Sequence, residues 1–526
     1  MPSPGSDLSG LPGAPKSVVL IHPPVTKPCE PPAGVARLAG ALRANGVSCT
    51  LIDANLDGLY YRLEHLVPAG DTWSQRAYRH LADHLAVIRA PDTGRHPDRY
   101  RRAVADVGRL LTTDGAVAGV RAGLADYRDD RWSPVRRDDL CRAAEAPEHN
   151  PYYAYYMERL LPRILALQPS TVGISINYLS QALCAFSLIG LLRRRFAGLR
   201  VVIGGGLVTS WMRRPGGMAG FSGWVDEMVS GPGELHLLAA AGAAGSAGAG
   251  YAPDYTDLVR GNYLSPGFIL PFSASDGCWW RRCAFCPERA EKRPFRPLPH
   301  KAVARQLRQL TAETRPVLIH LLDNALSPAL LNTLTSAPPG APWYGFARIG
   351  APLDDLDFCR RLAAAGCVML KLGLESGSQA VLDRLQKGMQ LDTASRVLDN
   401  LRRAGIATYV YLLFGTPAED AAAALQTLDY VVAHREAIGF LNLAIFNLPL
   451  GSPDAAHLEV SDFYPGDLAF YGDFRHPRGW DRGAVRQFID KQFKRHPVVQ
   501  AILRRDPPVF TSNHAPFFLC QREESR

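Results

Sequence analysis

The sequence predicts an α/β protein: a doubly wound, Rossmann-like parallel sheet, then a partial (β/α) barrel, then a mainly helical C-terminal cap. Three observations carry that expectation. Apolar runs of strand length alternate with stretches of helical period along most of the chain. The alternation is broken once, at residues 239–250, by a run of Ala, Gly and Ser with no face to bury. It then resumes as a second series of strand–helix repeats.

Taken in order, residues 1–16 are rich in Pro, Gly and Ser and are expected to be disordered. They lack the apolar core of a secretory signal, so a cytoplasmic location is expected. Residues 17–238 form the first domain. It opens with the apolar run Ser17 to His22, stopped by Pro23 and Pro24, and continues with a helical stretch, Gly34 to Ala44, ended by Gly46. Cys49 to Asp53 completes a β-α-β unit without the Gly-x-Gly-x-x-Gly turn of a dinucleotide site. Residues 57–165 read as a helical insertion. The alternation resumes at Thr171 to Ile176 and at Arg200 to Gly206, which ends in Gly204, Gly205 and Gly206. Gly231-Pro232-Gly233-Glu234 leads into a further helix. The run at 239–250 is read as a flexible linker between this domain and a barrel at 251–454. Barrel strands are expected at Val317–Leu322, Trp343–Ile349, Val368–Gly373, Ala407–Phe414 and Leu441–Asn447. Residues 455–526 form the expected cap.

The formal charge of +9 is carried mainly by arginine, in short clusters read as solvated helix faces. No repeated basic–aromatic pattern accompanies them, which disfavours a nucleic-acid partner and leaves a smaller anionic substrate open. No window reaches the ~18 uninterrupted apolar residues of a membrane span. His22 and His514 follow apolar or proline-rich runs and are expected to be structural.

Of ten cysteines, Cys278, Cys283 and Cys286 fall within nine residues. Thiolates select zinc or iron–sulfur centres over hard cations. A structural zinc site wants four ligands; no second Cys-x-x-Cys is present, and His300 is the candidate fourth. Three cysteines on one loop also suit a four-iron cluster with one open iron.

The loop resembles the signature of the radical S-adenosylmethionine (SAM) superfamily, most often Cys-x3-Cys-x2-Cys, with four residues here in the first gap. Leu372 to Ser378 is similar to the Gly-x-Glu-Ser-Gly-Ser stretch ending the family's fourth barrel strand, and Lys387-Gly388 follows it. Tyr411 to Pro417 resembles the fifth-strand segment. The first domain resembles the cobalamin-binding module of B12-dependent members, on Leu20 to Pro24, Pro31 to Gly34, Leu51 to Asn55, Gly204 to Gly206 and Gly231 to Glu234; it lacks their Asp-x-His-x-x-Gly motif.

The resemblance implies a [4Fe–4S] cluster on Cys278, Cys283 and Cys286, and SAM contacts at Phe285, Asp323, Arg348, Glu375, Ser376 and Gly415. It implies a cobalamin site at Gly204, Gly205, Gly206, Gly233 and Glu234. Cys29, in the loop after the first strand, is a candidate for mutation. The implied activity is reductive cleavage of SAM and alkylation, above all methylation, of a small-molecule substrate of natural-product type, with a flavodoxin- or ferredoxin-type electron donor. Two alternatives stand beside it. One is a radical SAM enzyme without cobalamin, such as a cyclase, a rearrangement enzyme or a 3-amino-3-carboxypropyl transferase. The other is a non-catalytic metal-binding protein.

Overall fold

A computed structural model describes residues 17–524 except 115–116, 215, 217–219, 247–249, 259–260, 262 and 508–514. Residues 1–16 and His514 lie outside the described residues. The chain divides into two compact units. One contains the residues up to Phe268, with Pro465–Ala469 and the final helix; the other contains Ile269–Tyr464 and Phe470–Pro507.

The first unit is built on β1 (Val18–His22), β2 (Cys49–Asp53), β3 (Thr171–Ser175), β4 (Arg200–Gly204) and β5 (Glu227–Met228). They form one parallel sheet in the order β2-β1-β3-β4-β5. Its helices are α1 (Ala33–Ala44), α2 (Leu179–Arg195), α3 (Gly206–Met212) and α4 (Glu234–Ala240). Helices on both faces explain why β1 is apolar up to its last residue, His22, with all five residues buried. The strand order reverses between β1 and β3, which leaves a crevice at their carboxyl ends.

The insertion is mainly helical, with a hairpin pairing Val120–Ala122 and Tyr127–Asp129 that sequence pattern did not reveal. It has its own apolar cluster, including Leu59, Ile88, Val107 and Leu110. The buried guanidinium of Arg62 donates to the carbonyls of Leu111 and Ala122 at 2.9 Å and to Asp114 at 3.1 Å, fastening helix end to hairpin.

The second unit holds β6 (Ile269–Phe272), β7 (Leu318–Leu326), β8 (Trp343–Ala347), β9 (Cys367–Glu375), β10 (Ala407–Phe414) and β11 (Phe440–Ile445), paired in sequential order and all parallel. Crossovers run through α5 (His300–Thr314), α6 (Pro328–Ser336), α7 (Leu356–Ala364), α8 (Gln379–Arg384), α9 (Leu391–Arg403) and α10 (Ala421–Ala433). Alternation sorts each strand's side chains onto two faces. Leu370, Leu372, Val410 and Phe414 are fully buried on one face, while Lys371, Gly373, Glu375, Tyr409 and Tyr411 share the other. The registers of β7 on β8 and of β9 on β10 both shift near their carboxyl ends, where a bulge re-aims the last side chains.

Two expected boundaries differ. The units part at 268/269 and not at the 239–250 run, because the chain after that run is tied back to α1. Asp254 N donates to Ala36 O at 2.9 Å, and Arg43 pairs with Asp254 at 2.8 Å and Asp257 at 2.6 Å. Tyr263 Oη also donates to Asp53 at 2.9 Å. The expected mainly helical cap opens beside an antiparallel sheet of Leu448–Pro449, Tyr471–Phe474 and Val460–Asp462, and its α-helices start at Arg482. Those strands are two to four residues long, too short to leave a periodic signal.

Gly40 is the point of closest approach between α1 and this returning segment: a Cβ there would overlap the carbonyl of Ala252. Gly40→Val is therefore expected to lower unfolding stability by about 1–3 kcal/mol, read as a lower urea midpoint at unchanged slope.

Candidate active site

The cysteine loop is fixed at its base before the first thiol is reached. Ser275–Asp276 pairs antiparallel with Arg296–Pro297. Asp323, on β7 and only 1% exposed, accepts from Ala274 N at 3.0 Å and from the hydroxyl of Ser275. The sequence placed Asp323 among the SAM contacts; here its carboxylate is engaged by the segment leading into the loop. Gly277 follows with φ +75°, and a Cβ on it would overlap the carbonyl of Pro294.

Cys278, Cys283 and Cys286 are each partly exposed on this loop. Cys286 N donates to Cys283 O at 3.3 Å, and Ala284 N donates to Leu385 O at 2.9 Å, joining the loop to the end of α8. Burial raises the thiols of Cys283 and Cys286, the latter to about 11, while Lys387 and Arg348 draw Cys283 back down. Such thiols ionise when a metal takes them.

The four-residue first gap, Trp279 to Arg282, has a structural use. The Trp280 ring lies where a side chain on residue 388 would project, so Gly388 (φ +65°) has no room for a Cβ. Trp280 Nε1 donates to Gln386 O at 3.3 Å. The Arg348 guanidinium stacks 3.9 Å from the Trp280 ring centre and donates to Lys387 O at 2.6 Å, and Arg282 lies 5.0 Å from the same ring. The positive charge of Arg348 acts on the Cys283 thiol and favours its ionised form. Arg348, one of the implied SAM contacts, lies 5.7 Å and 3.9 Å from the centres of the Trp279 and Trp280 rings.

Glu375 ends β9 with φ +67°, and its carboxylate pairs with Lys387 Nζ at 2.7 Å, both side chains about nine-tenths buried. Gly373 makes room for this pair: a Cβ there would lie 2.7 Å from Lys387 Nζ. Lys387 also sits 5.6 Å from the centre of the Phe285 ring, which packs on Val381 and Leu385. Ser376 is fully buried and bonds Thr427 at 3.2 Å, which marks it as a fastener of α10.

Gly415 (φ +79°) closes the turn after β10, and its N–H is accepted by Glu419. The same carboxylate takes the Trp480 indole N–H at 3.0 Å, while its other oxygen has no partner. Burial pushes Glu419 up to about 7.

Deeper on this face, Lys371 Nζ lies 3.2 Å from His320 Nε2 and 5.3 Å from the centre of the Phe346 ring, and His320 stacks on Tyr344 at 4.4 Å. Phe346 and Tyr411 are 4.8 Å apart. The wall is aromatic with one ammonium and one imidazole.

In the first unit, the proposed cobalamin glycines have internal duties. A Cβ on Gly205 (φ +106°) would come 2.5 Å from Ile176 O, and Gly206 N donates to Asn177 at 2.9 Å. Gly204 and Gly233 face Val229, and Glu234 pairs with Arg37. His22 ends β1, buried, with Nε2 3.0 Å from Thr26 and Nδ1 without a partner; burial lowers it to about 4. Cys29 is 2% exposed.

The donor set fits an iron–sulfur cluster: three soft sulfur ligands on one loop, partly exposed, with cationic groups beside them. Among the described residues, no three of His, Cys, Asp and Glu are drawn together around a single ion, His300 included. Trp280, Lys387, Gly388, Glu419, Lys371 and His320 were not among the expected site residues. Two adjacent tryptophans inside a metal-binding gap were the available signal for the first; strand alternation around Lys371 was the signal for the last two.

Two measurements probe this arrangement. Lys387→Met leaves Glu375 buried beside no cation and is expected to cost about 3–5 kcal/mol, with much of it recovered in the Glu375→Gln/Lys387→Met double variant. For Glu419 the folded group holds its proton to about pH 7, against 4.5 unfolded, so the native state binds more protons between these values. Stability should fall as pH rises from about 4.5 to 7 and then level off, by on the order of 3 kcal/mol, and Glu419→Gln should flatten that slope.

Residues 272–431 match the Radical SAM superfamily. No curated protein matches the chain in sequence. Among solved structures, the radical SAM methyltransferase TsrM from Kitasatospora setae, with tryptophan substrate and aza-SAM bound, superposes with TM-score 0.57 at 16% identity, over 97% of this chain and 100% of that one. The cobalamin-dependent SAM radical enzyme OxsB with aqua-cobalamin bound gives TM-score 0.58 at 13% identity, over 91% and 67%. At these identities the likeness is one of fold. The chain carries a radical SAM domain, whose cofactors are a [4Fe–4S] cluster and SAM, within a fold shared with cobalamin-dependent radical SAM enzymes.

Proposed function

We propose that this chain is a radical SAM transferase that alkylates, above all methylates, a small-molecule substrate of natural-product type, using a cluster on Cys278, Cys283 and Cys286 and a corrinoid in the first unit. The observation that carries the reading is the docking of the cysteine loop on residues 385–388, at the carboxyl end of the parallel sheet. That end is where barrels of this class keep their chemistry.

When bound, the cluster and SAM supply one-electron cleavage of a sulfonium bond, and a corrinoid supplies a transferable methyl group. The chain's own residues bind, orient and exclude water. Cys278, Cys283 and Cys286 would hold the cluster, and three thiolates would leave it a site for SAM. Arg348 adds positive charge at Cys283, which favours the thiolate and would favour the reduced cluster. Glu375, held by Lys387, presents a carboxylate at the end of β9 for SAM's ammonium or ribose. Phe285 and Gly415 are the proposed neighbours of the adenine. Phe346 and Tyr411 give the substrate an apolar wall, with Lys371 and His320 behind it.

A second reading keeps the cluster and omits the corrinoid. Its support is that packing or pairing within the unit already accounts for Gly204, Gly205, Gly206, Gly233 and Glu234.

Anaerobic reconstitution with iron, sulfide, hydroxocobalamin, SAM and dithionite separates the two. The first reading expects bound corrinoid, with S-adenosylhomocysteine and 5′-deoxyadenosine formed together, all nucleoside products lost in Cys283→Ala. Protein that retains no corrinoid, and turns over equally without it, would sink that reading. 5′-Methylthioadenosine would indicate 3-amino-3-carboxypropyl transfer.

A further inference from the structure

The two faces of the second sheet differ in what they border. Outward residues such as Leu321, Leu370 and Val410 are at most 1% exposed, whereas inward-facing Phe346, Gly373 and Tyr411 are half-buried and Leu322 is 36% exposed. The inward face therefore borders open space. Register sets Phe346 beside Lys371, Lys371 beside Tyr409 and Tyr409 beside Phe440, one row of side chains across β8 to β11. Three members of that row are aromatic rings and one is a cation. The Lys371 ammonium lies 4.9 Å and 5.3 Å from the Tyr344 and Phe346 ring centres and donates to His320 Nε2 at 3.2 Å. Accepting that hydrogen bond keeps the imidazole neutral, and its flat stack on Tyr344 fixes the ring. Tyr411 stands one step nearer the carboxyl ends, 4.9 Å from Tyr409 and 4.8 Å from Phe346. Glu375 is four residues further along β9, about 13 Å of extended strand. Asp506 accepts from Leu441 N at 3.3 Å, beside the Phe440 end of the row.

We propose that Lys371 selects the substrate, a flat aromatic or conjugated carboxylic acid whose carboxylate pairs with the Lys371 ammonium and whose ring system lies against Phe346 and Tyr411. The inference rests on the radical SAM reading, in which the acid bound here is the molecule alkylated. One ammonium matches one carboxylate. A phosphate would ask for a bidentate guanidinium or a nest of backbone N–H groups, and the row of Phe346, Lys371, Tyr409 and Phe440 offers neither. Rings around the ammonium lower the local dielectric, so an anion is attracted there more strongly than in water. Ring walls also favour a flat ligand, through stacked and edge-on contacts. Because Lys371 stands below Glu375 on β9, the acid group points away from the carboxyl end of the sheet and the far end of the ring system toward it. The alkylated position is therefore remote from the carboxylate. His320 is a positioning residue: it holds the ammonium and does not touch the substrate.

The test titrates the reconstituted full chain, with SAM present, by calorimetry against three probes of one shape: naphthoate, naphthamide and naphthylmethylammonium. Wild type should bind naphthoate at least about tenfold more tightly than the amide, the gain expected of one charge-assisted hydrogen bond, and the cationic probe least of all. Lys371→Met should bring naphthoate down to the affinity of the amide and leave the amide where it was. Lys371→Arg should keep the preference for the acid. Wild type that binds naphthoate no better than the amide overturns the proposal, and would show that the ammonium is balanced within the fold. A preference for naphthoate that survives in Lys371→Met overturns it too. Should the Met variant not fold, the wild-type series and Lys371→Arg still decide. The radical SAM reading fails separately: naphthoate held through Lys371, with no nucleoside product formed from SAM under reduction, would overturn that reading and leave the acid site standing.

Discussion

The docking of the cysteine loop against residues 385–388 is the constraint on which the rest of the site depends. The loop packs Phe285 on Val381 and Leu385 and Trp280 beside Gly388. It is held by two backbone or indole hydrogen bonds, from Ala284 to Leu385 and from Trp280 to Gln386, and by the stack of Arg348 on Trp280. The same short segment supplies Lys387 to Glu375. Thiols, cationic groups and the carboxylate at the end of β9 therefore share one support, and a shift in any of them is felt by the others. Preorganisation of this kind lets the protein's part in a cofactor reaction be binding and orientation alone.

Asp323 and Glu419 show how buried carboxylates can serve the same end without entering the chemistry. Each accepts from a backbone N–H at a place where the chain leaves regular structure, Ala274 before the loop and Gly415 after β10. Burial raises both, and each is partly compensated by those bonds. They hold irregular backbone in place where a helix or strand ladder cannot.

Much of the architecture was legible in the sequence because both sheets are parallel and covered, so their strands read as near-continuous apolar runs. β10 was anticipated at its observed limits, and β8 and β9 within two residues at either end. The three cysteines were legible because thiols at such spacing have few other uses. What escaped reading was set by contacts between distant residues. Nothing local to Gly388 says that a tryptophan more than a hundred residues earlier occupies its side-chain space. The boundary at 268/269 depends on Arg43 reaching Asp254 and Asp257, a pairing invisible to composition. The stack of Arg348 on Trp280 likewise joins residues far apart in the sequence, and no local pattern announces it.

Gly388 is doubly committed, by its positive φ and by the indole that fills the space beside it. The two commitments make the effects of substitution order-dependent. A side chain at 388 clashes while Trp280 is present, and losing Trp280 first exposes Arg348 and unseats the loop. Neither single step is neutral, so positions 280, 348 and 388 should change together in descendants of this chain or not at all. That epistasis gives the long first gap an inheritance of its own, separable from whatever substrate the barrel has come to accept.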